Sequence, residues 1–204
     1  ALAFYEKSLP IREAIEDKTG ASSSLSNIGG VHHSLGDYAL ALAFYEKSLA
    51  LCEATEDRAG AARTLNNIGE VHRGLGDYAK AVAFYEKSLR IKEEIGDRRG
   101  AALSLNNIGN VHRSLGDEAK ALGFYEKSLP IRKEIGDRRG VAQALNNIGN
   151  VFHSLGDYAK ALEFYEKSLT LVEDLGNRDG VAAILVNLCN ETFGLPQERL
   201  PFGE

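Results

Sequence analysis

The sequence predicts an all-α solenoid of antiparallel helix hairpins. Three observations lead there: an unslipped 40-residue period, helix-spaced apolar stripes in both halves of each period, and very short connecting turns. The period is plain in FYEKSL, which stands at 4–9, 44–49, 84–89, 124–129 and 164–169. SLGD or GLGD recurs at 34–37, 74–77, 114–117 and 154–157. IGDRRG stands at 95–100 and 135–140, with looser copies at 15–20, 55–60 and 175–180. A fixed period of roughly 20–50 residues marks a solenoid, propeller or array, whose units bury their apolar faces only by stacking.

Within one period the first helix is predicted from about Gly100 to Ser114. Ala102, Leu105, Ile108, Gly109, His112 and Leu115 form its apolar stripe at helical spacing. Asp97 is placed to cap its start, and Gly116 to close its end in the left-handed conformation. Asp117 caps a second helix from about Glu118 to Ile135, ended by Gly136. Its buried side is Ala121, Leu122, Phe124, Tyr125, Ser128, Leu129 and Ile131. Turns this short make the two helices antiparallel. Gly109 and Ala121 fall where they would approach most closely.

Residues 1–16 read as the second helix of a truncated unit. Full units follow at 20–59, 60–99, 100–139 and 140–179, and 180–193 reads as a last first-type helix. The array is thus a single one over 1–194. Pro196 and Pro201 fall where Gly156 and Ala161 stand in the preceding copy. A proline inside a helix costs about 3 kcal/mol, so 195–204 is expected to be a tail or a cap.

Composition narrows the function classes. The chain has 204 residues, 44% of them hydrophobic, and a net charge of −5. A sequence-independent nucleic-acid binder needs a basic face, so that class is disfavoured. No run approaches the roughly 18 apolar residues of a membrane span, and no signal peptide is visible. The chain begins at Ala1 inside a motif, and reads as a piece of a longer protein. Cys52 and Cys189 lie far apart without metal or disulfide spacing. They read as small hydrophobes in a reducing, intracellular and cytoplasmic setting.

Leu105, Ile108, Gly109, His112, Gly116, Ala121, Tyr125 and Ser128 fall on the tetratricopeptide repeat (TPR) pattern. The other full units match at the same offsets, from Leu25 to Ser48, Leu65 to Ser88 and Leu145 to Ser168. The departures are Leu for Trp, His or Phe for the first Tyr, Ser for the last Ala, no terminal Pro, and 40 residues rather than 34. The chain resembles the extended repeats of the spindle adaptor Pins, of kinesin light chain and of bacterial TPR arrays. That resemblance implies a right-handed superhelix whose first helices line a concave groove.

On the helical wheel, Asn106, Asn110 and Arg113 share a face with Leu103, opposite the buried stripe. The resemblance assigns that face to the groove. The candidate peptide-binding residues are therefore Arg63, Asn66, Glu70, Arg73, Asn106, Asn110, Arg113, Gln143, Asn146, Asn150 and His153. Asn107 and its copies Asn27, Asn67, Asn147 and Asn187 face the neighbouring repeat, and are expected to bond a backbone group there. Asn66, Asn106 and Asn146 would form an amide ladder, able to donate to and accept from an extended peptide. Arg63, Arg73 and Arg113 suit a segment with acidic residues. The chaperone-tail clamp of other TPR proteins is missing, with asparagines in place of its cations.

The expected function is a non-catalytic protein-interaction scaffold, with no cofactor, catalytic set or metal site. His32, His72 and His112 are one repeat apart and occupy the family's aromatic packing position. Tyr125 and its copies are expected in the core, Glu126 and Lys127 on the surface, and Arg98, Arg99, Arg138 and Arg139 at a loop edge. Two rival readings are self-association through open helical ends and service as the sensor arm of a larger signalling enzyme.

Overall fold

The computed structural model describes residues 2–176 and, beyond them, Gly180, Val181, Ile184 and Leu185. The expected helix at 180–193 and tail at 195–204 lie, apart from those four residues, outside the described part. Among the described residues the chain is helical and has no strand. In chain order the helices are α1 Leu2–Ala14, α2 Lys18–Ser34, α3 Tyr38–Ala54, α4 Arg58–Gly74, α5 Tyr78–Glu94, α6 Arg98–Ser114, α7 Glu118–Glu134, α8 Arg138–Ser154 and α9 Tyr158–Asp174. The chain divides into two compact units, residues 1–115 and 116–204.

The caps fall where the repeat places them. Asp17, Asp57, Asp97 and Asp137 each accept from the amide of the glycine three residues on, at 2.8–3.1 Å. Asp37, Asp77, Asp117 and Asp157 accept from the amides of Leu40, Lys80, Lys120 and Lys160 in the second-type helices at 3.2–3.4 Å. A carboxylate here satisfies an amide the helix leaves unpaired and favours the positive end of its dipole. First-type helices end on glycines with φ of 73–78° at Gly36, Gly76, Gly116 and Gly156. After second-type helices, Gly96 and Gly136 are left-handed, but Glu16 and Glu56 hold φ of 58° and 54° at that register. A side chain there is strained, because its Cβ crowds the following carbonyl.

The hairpins α2–α3, α4–α5 and α8–α9 each close on a glycine and a tyrosine. A Cβ on Gly69 would lie 2.7 Å from the Tyr85 ring, and one on Gly149 2.6 Å from Tyr165. In these three the ring of the second helix thus lies over the glycine of the first. The alanine one turn earlier, Ala41, Ala81 or Ala161, is fully buried at the same crossing, and the Ala41 carbonyl oxygen would lie 3.2 Å from a Cβ on Gly29. Around these pairs sit Ala41, Tyr45, Ile68 and Val71 in unit 1, and Ala142, Ala161, Tyr165, Val172 and Ile184 in unit 2.

The serine that departs from the repeat pattern has a structural job. Ser48, Ser88 and Ser168 donate to the carbonyls of Ser22, Ala62 and Ala142 at 2.7–2.8 Å, tying the two helices of a hairpin. The same hydroxyls start a polar seam toward the next hairpin in unit 1. Ser8 meets Ser24 at 3.0 Å, Ser48 meets Thr64 at 3.4 Å and Ser88 meets Ser104 at 3.4 Å. In unit 2 the corresponding partner is Ala144, and Ser128 instead accepts from Arg132 Nε at 3.1 Å.

Candidate functional site

The predicted groove stripe is graded in depth. Arg63, Arg73, Arg113, Gln143 and His153 are exposed, while Glu70, Asn110, Asn146 and Asn150 are half-buried. Asn66 and Asn106 lie deeper than the wheel places them, at 9% and 1% exposure. For Asn66 the cause is visible: Asn107 of α6 donates its side-chain amide to Asn66 Oδ1 at 3.3 Å. Asn67 donates to Ser26 Oγ in the same register, at 3.5 Å. The junction bond expected of Asn107 therefore goes to a side chain, not to backbone. Asn66 belongs to that rung as well as to the groove face. Asn187 lies outside the described residues.

A second layer comes from the tyrosines. Tyr165 donates to Asn150 Oδ1 at 2.8 Å, from α9 to α8. In unit 1 the Tyr85 hydroxyl lies beside Glu70 and Arg73, and its pKa is raised, chiefly by burial and then by the charge of Glu70. Glu70 in turn holds Arg73 through Nε at 3.1 Å and Nη2 at 2.7 Å. Arg73 is thus committed to an internal carboxylate. Arg63 and Arg113 have no ion pair among the described residues, so they are the cations open to a partner.

The histidines at the aromatic position and the EKS lysines find packing roles. His32 and His72 stack on Phe44 and Phe84 with centroids 5.5 and 5.3 Å apart and planes within 5°. Phe152 does the same on Phe164 at 5.5 Å. Lys47, Lys87, Lys127 and Lys167 of the EKS runs lie over phenylalanine rings, as with Lys87 over Phe84 at 5.3 Å. The loop-edge arginine is more than decoration. Arg138 pairs with Asp174 at 2.8 Å, and Arg58 pairs with Glu94, each reaching the following second-type helix.

The sequence reading missed two buried cations at one register. Lys92 is 3% exposed and donates to Ser104 Oγ at 3.0 Å. Burial lowers its pKa to about 8, against a smaller opposing pull from Asp97. Arg132 is 4% exposed and reaches Asp137 at 3.4 Å. The signal was present in the alignment of copies, where Cys52, Lys92, Arg132 and Val172 share one buried position and Arg12 is half-buried at the same register.

The sequence profile of the tetratricopeptide repeat matches residues 1–54, 20–94, 60–134, 100–174 and 140–188. The chain belongs to the tetratricopeptide repeat family. No curated protein matches the sequence. Among solved structures, BtubC (BKLC) from P. vanneervenii is similar at TM-score 0.74 and 18% identity, over 100% of this chain and 95% of that one. The Rap conjugation gene regulator of plasmid pLS20, in complex with the Phr* peptide, gives TM-score 0.78 and 16% identity. This chain is covered to 97% and spans 54% of that regulator. A putative kinesin light chain from Podosopora anserina, with nearly identical TPR-like repeats, gives 0.68 and 12% identity over 86% of each chain. At these identities the likeness establishes the fold.

Proposed function

We propose that the chain is a non-catalytic scaffold whose first-helix faces bind a segment of a protein partner. One observation carries the reading. The Asn107–Asn66 rung holds α6 beside α4, so that Arg63, Glu70, Arg113 and Asn110 present a row of donors and acceptors from adjacent first-type helices. In unit 2 the corresponding row is Gln143, Asn146, Asn150 and His153. A preformed row of this kind lowers the ordering cost of binding. The Phr* peptide held by the pLS20 regulator supports a peptide as the partner class. Arg63 and Arg113, unlike Arg73, favour acidic side chains in it.

Because Asn66 and Asn106 are buried, replacing them mixes binding with packing. The cleaner test is Arg63→Glu with Arg113→Glu, both exposed, used as bait beside the wild type. Captured partners should be lost, or bound about tenfold more weakly, since two reversed charges are worth at least 1.4 kcal/mol. A folded variant that keeps every partner at unchanged affinity removes the reading.

A further inference from the structure

The outer cleft of unit 2 lies between α7 and α9 over the start of α8, and shares no residue with the groove stripe. Its volume is about 640 Å³, inside the roughly 300–1,000 Å³ of small-molecule sites. Val141, Leu145 and Leu171 give it an apolar floor. Arg132, Lys133, Arg138 and Lys167 border it, and no carboxylate is among its described lining residues. Three of the four cations are balanced from behind the rim. Arg132 meets Asp137, Arg138 meets Asp174 at 2.8 Å and Lys167 meets Glu163 at 2.5 Å. Lys133 has no such partner among the described residues, so one positive charge is left beside an apolar floor.

The same register in unit 1 has the reverse character. That cleft, of about 410 Å³, carries Glu53 where Lys133 stands and Glu56 where Gly136 stands. The backbone alone therefore does not dictate the chemistry of the unit 2 cleft.

We infer that the unit 2 cleft binds a medium-chain alkyl carboxylate, its chain on Val141, Leu145 and Leu171 and its single carboxylate at Lys133. One surplus cation matches one negative charge. The floor favours an alkyl chain over a peptide, whose amides need partners when they leave water. The one rim hydroxyl among the lining residues, on Thr170, donates back to the Glu166 carbonyl at 3.0 Å.

Calorimetric titration of the whole chain with decanoate, below its micelle-forming concentration, tests this. One decanoate should bind per chain, with decyltrimethylammonium much weaker. Lys133→Glu should weaken decanoate about tenfold, the scale of reversing a rim charge. Thr170→Trp, at an exposed rim position, should block the cleft. Arg63→Glu with Arg113→Glu should leave decanoate binding unchanged, which separates this site from the groove. Equal binding of the cationic amphiphile, full affinity in folded Lys133→Glu, or tighter binding of an acetylated Leu-Leu-Glu peptide would each overturn the proposal.

Discussion

Where α3 meets α4 and α5, Glu53 and Glu56 border the outer cleft; where α7 meets α8 and α9, Lys133 and Gly136 stand in their place. Beneath these differences the two regions share their caps, their glycine–tyrosine closure and their serine tie. Most positions that touch within one hairpin are shared. Among those that face a neighbouring hairpin or solvent, the junction asparagines Asn67 and Asn107 are kept, while the cleft residues diverge. A repeat array can therefore hold its backbone fixed while each cleft and junction acquires its own chemistry.

The largest expected effect tests what the two regions share. Gly69→Leu and Gly149→Leu should each cost about 3 kcal/mol, because no rotamer avoids the tyrosine ring. Chemical denaturation should show similar losses in both units. A mild loss in one alone would mean its hairpin closes differently.

Lys92→Val sharpens the difference. Val172 already fills that register in α9, so the side chain fits. The Lys92 pKa falls from 10.5 in the unfolded chain to about 8 on folding. The folded state then binds fewer protons between those values, and wild-type stability rises as pH climbs from 8 toward 10.5. Below pH 8 the buried ammonium costs stability in full. Lys92→Val should raise the melting temperature at pH 7 by about 2–4 °C, equivalent to roughly 1 kcal/mol. The gain should shrink by pH 10.5, and a pH-independent gain would point to packing alone.

Ser88→Ala and Ser168→Ala should each cost about 1 kcal/mol, the usual value of a buried hydrogen bond. Ser88 should cost more, since Ser104 also loses a neighbour. Glu56→Gly should stabilise by about 1 kcal/mol by relieving the left-handed strain. Its mirror, Gly136→Glu, should destabilise by a similar amount. Arg58→Ala and Arg138→Ala come last, each within about 0.5 kcal/mol, as exposed ion pairs contribute little.

The helices, caps and most stripe residues were legible in the sequence because they follow from local periodicity and turn chemistry; Leu115, read into the stripe, instead stands 55% exposed just past the end of α6. Asp97, Gly116 and Tyr125 each do what their spacing implies. The burial of Asn66 was not legible, because a wheel drawn for one helix omits the Asn107 that reaches it from the next. The glycine–tyrosine contact was hidden for a similar reason: which small residue meets the ring depends on the crossing, not on the stripe. Lys92 was overlooked because a lysine in a charged helix reads as surface unless it is compared with Cys52 and Val172.

The polar seam bears on how such an array can be shortened. Lys92 finds its acceptor in Ser104, whereas the next copy of that position is Ala144. Unequal recombination that excised residues 100–139 would keep every helix in frame. It would also place the Lys92 ammonium against a methyl group. Near-identical repeats invite such deletions, and this mismatch would penalise one of them at the level of folding, in a chain whose reading frame shows no damage.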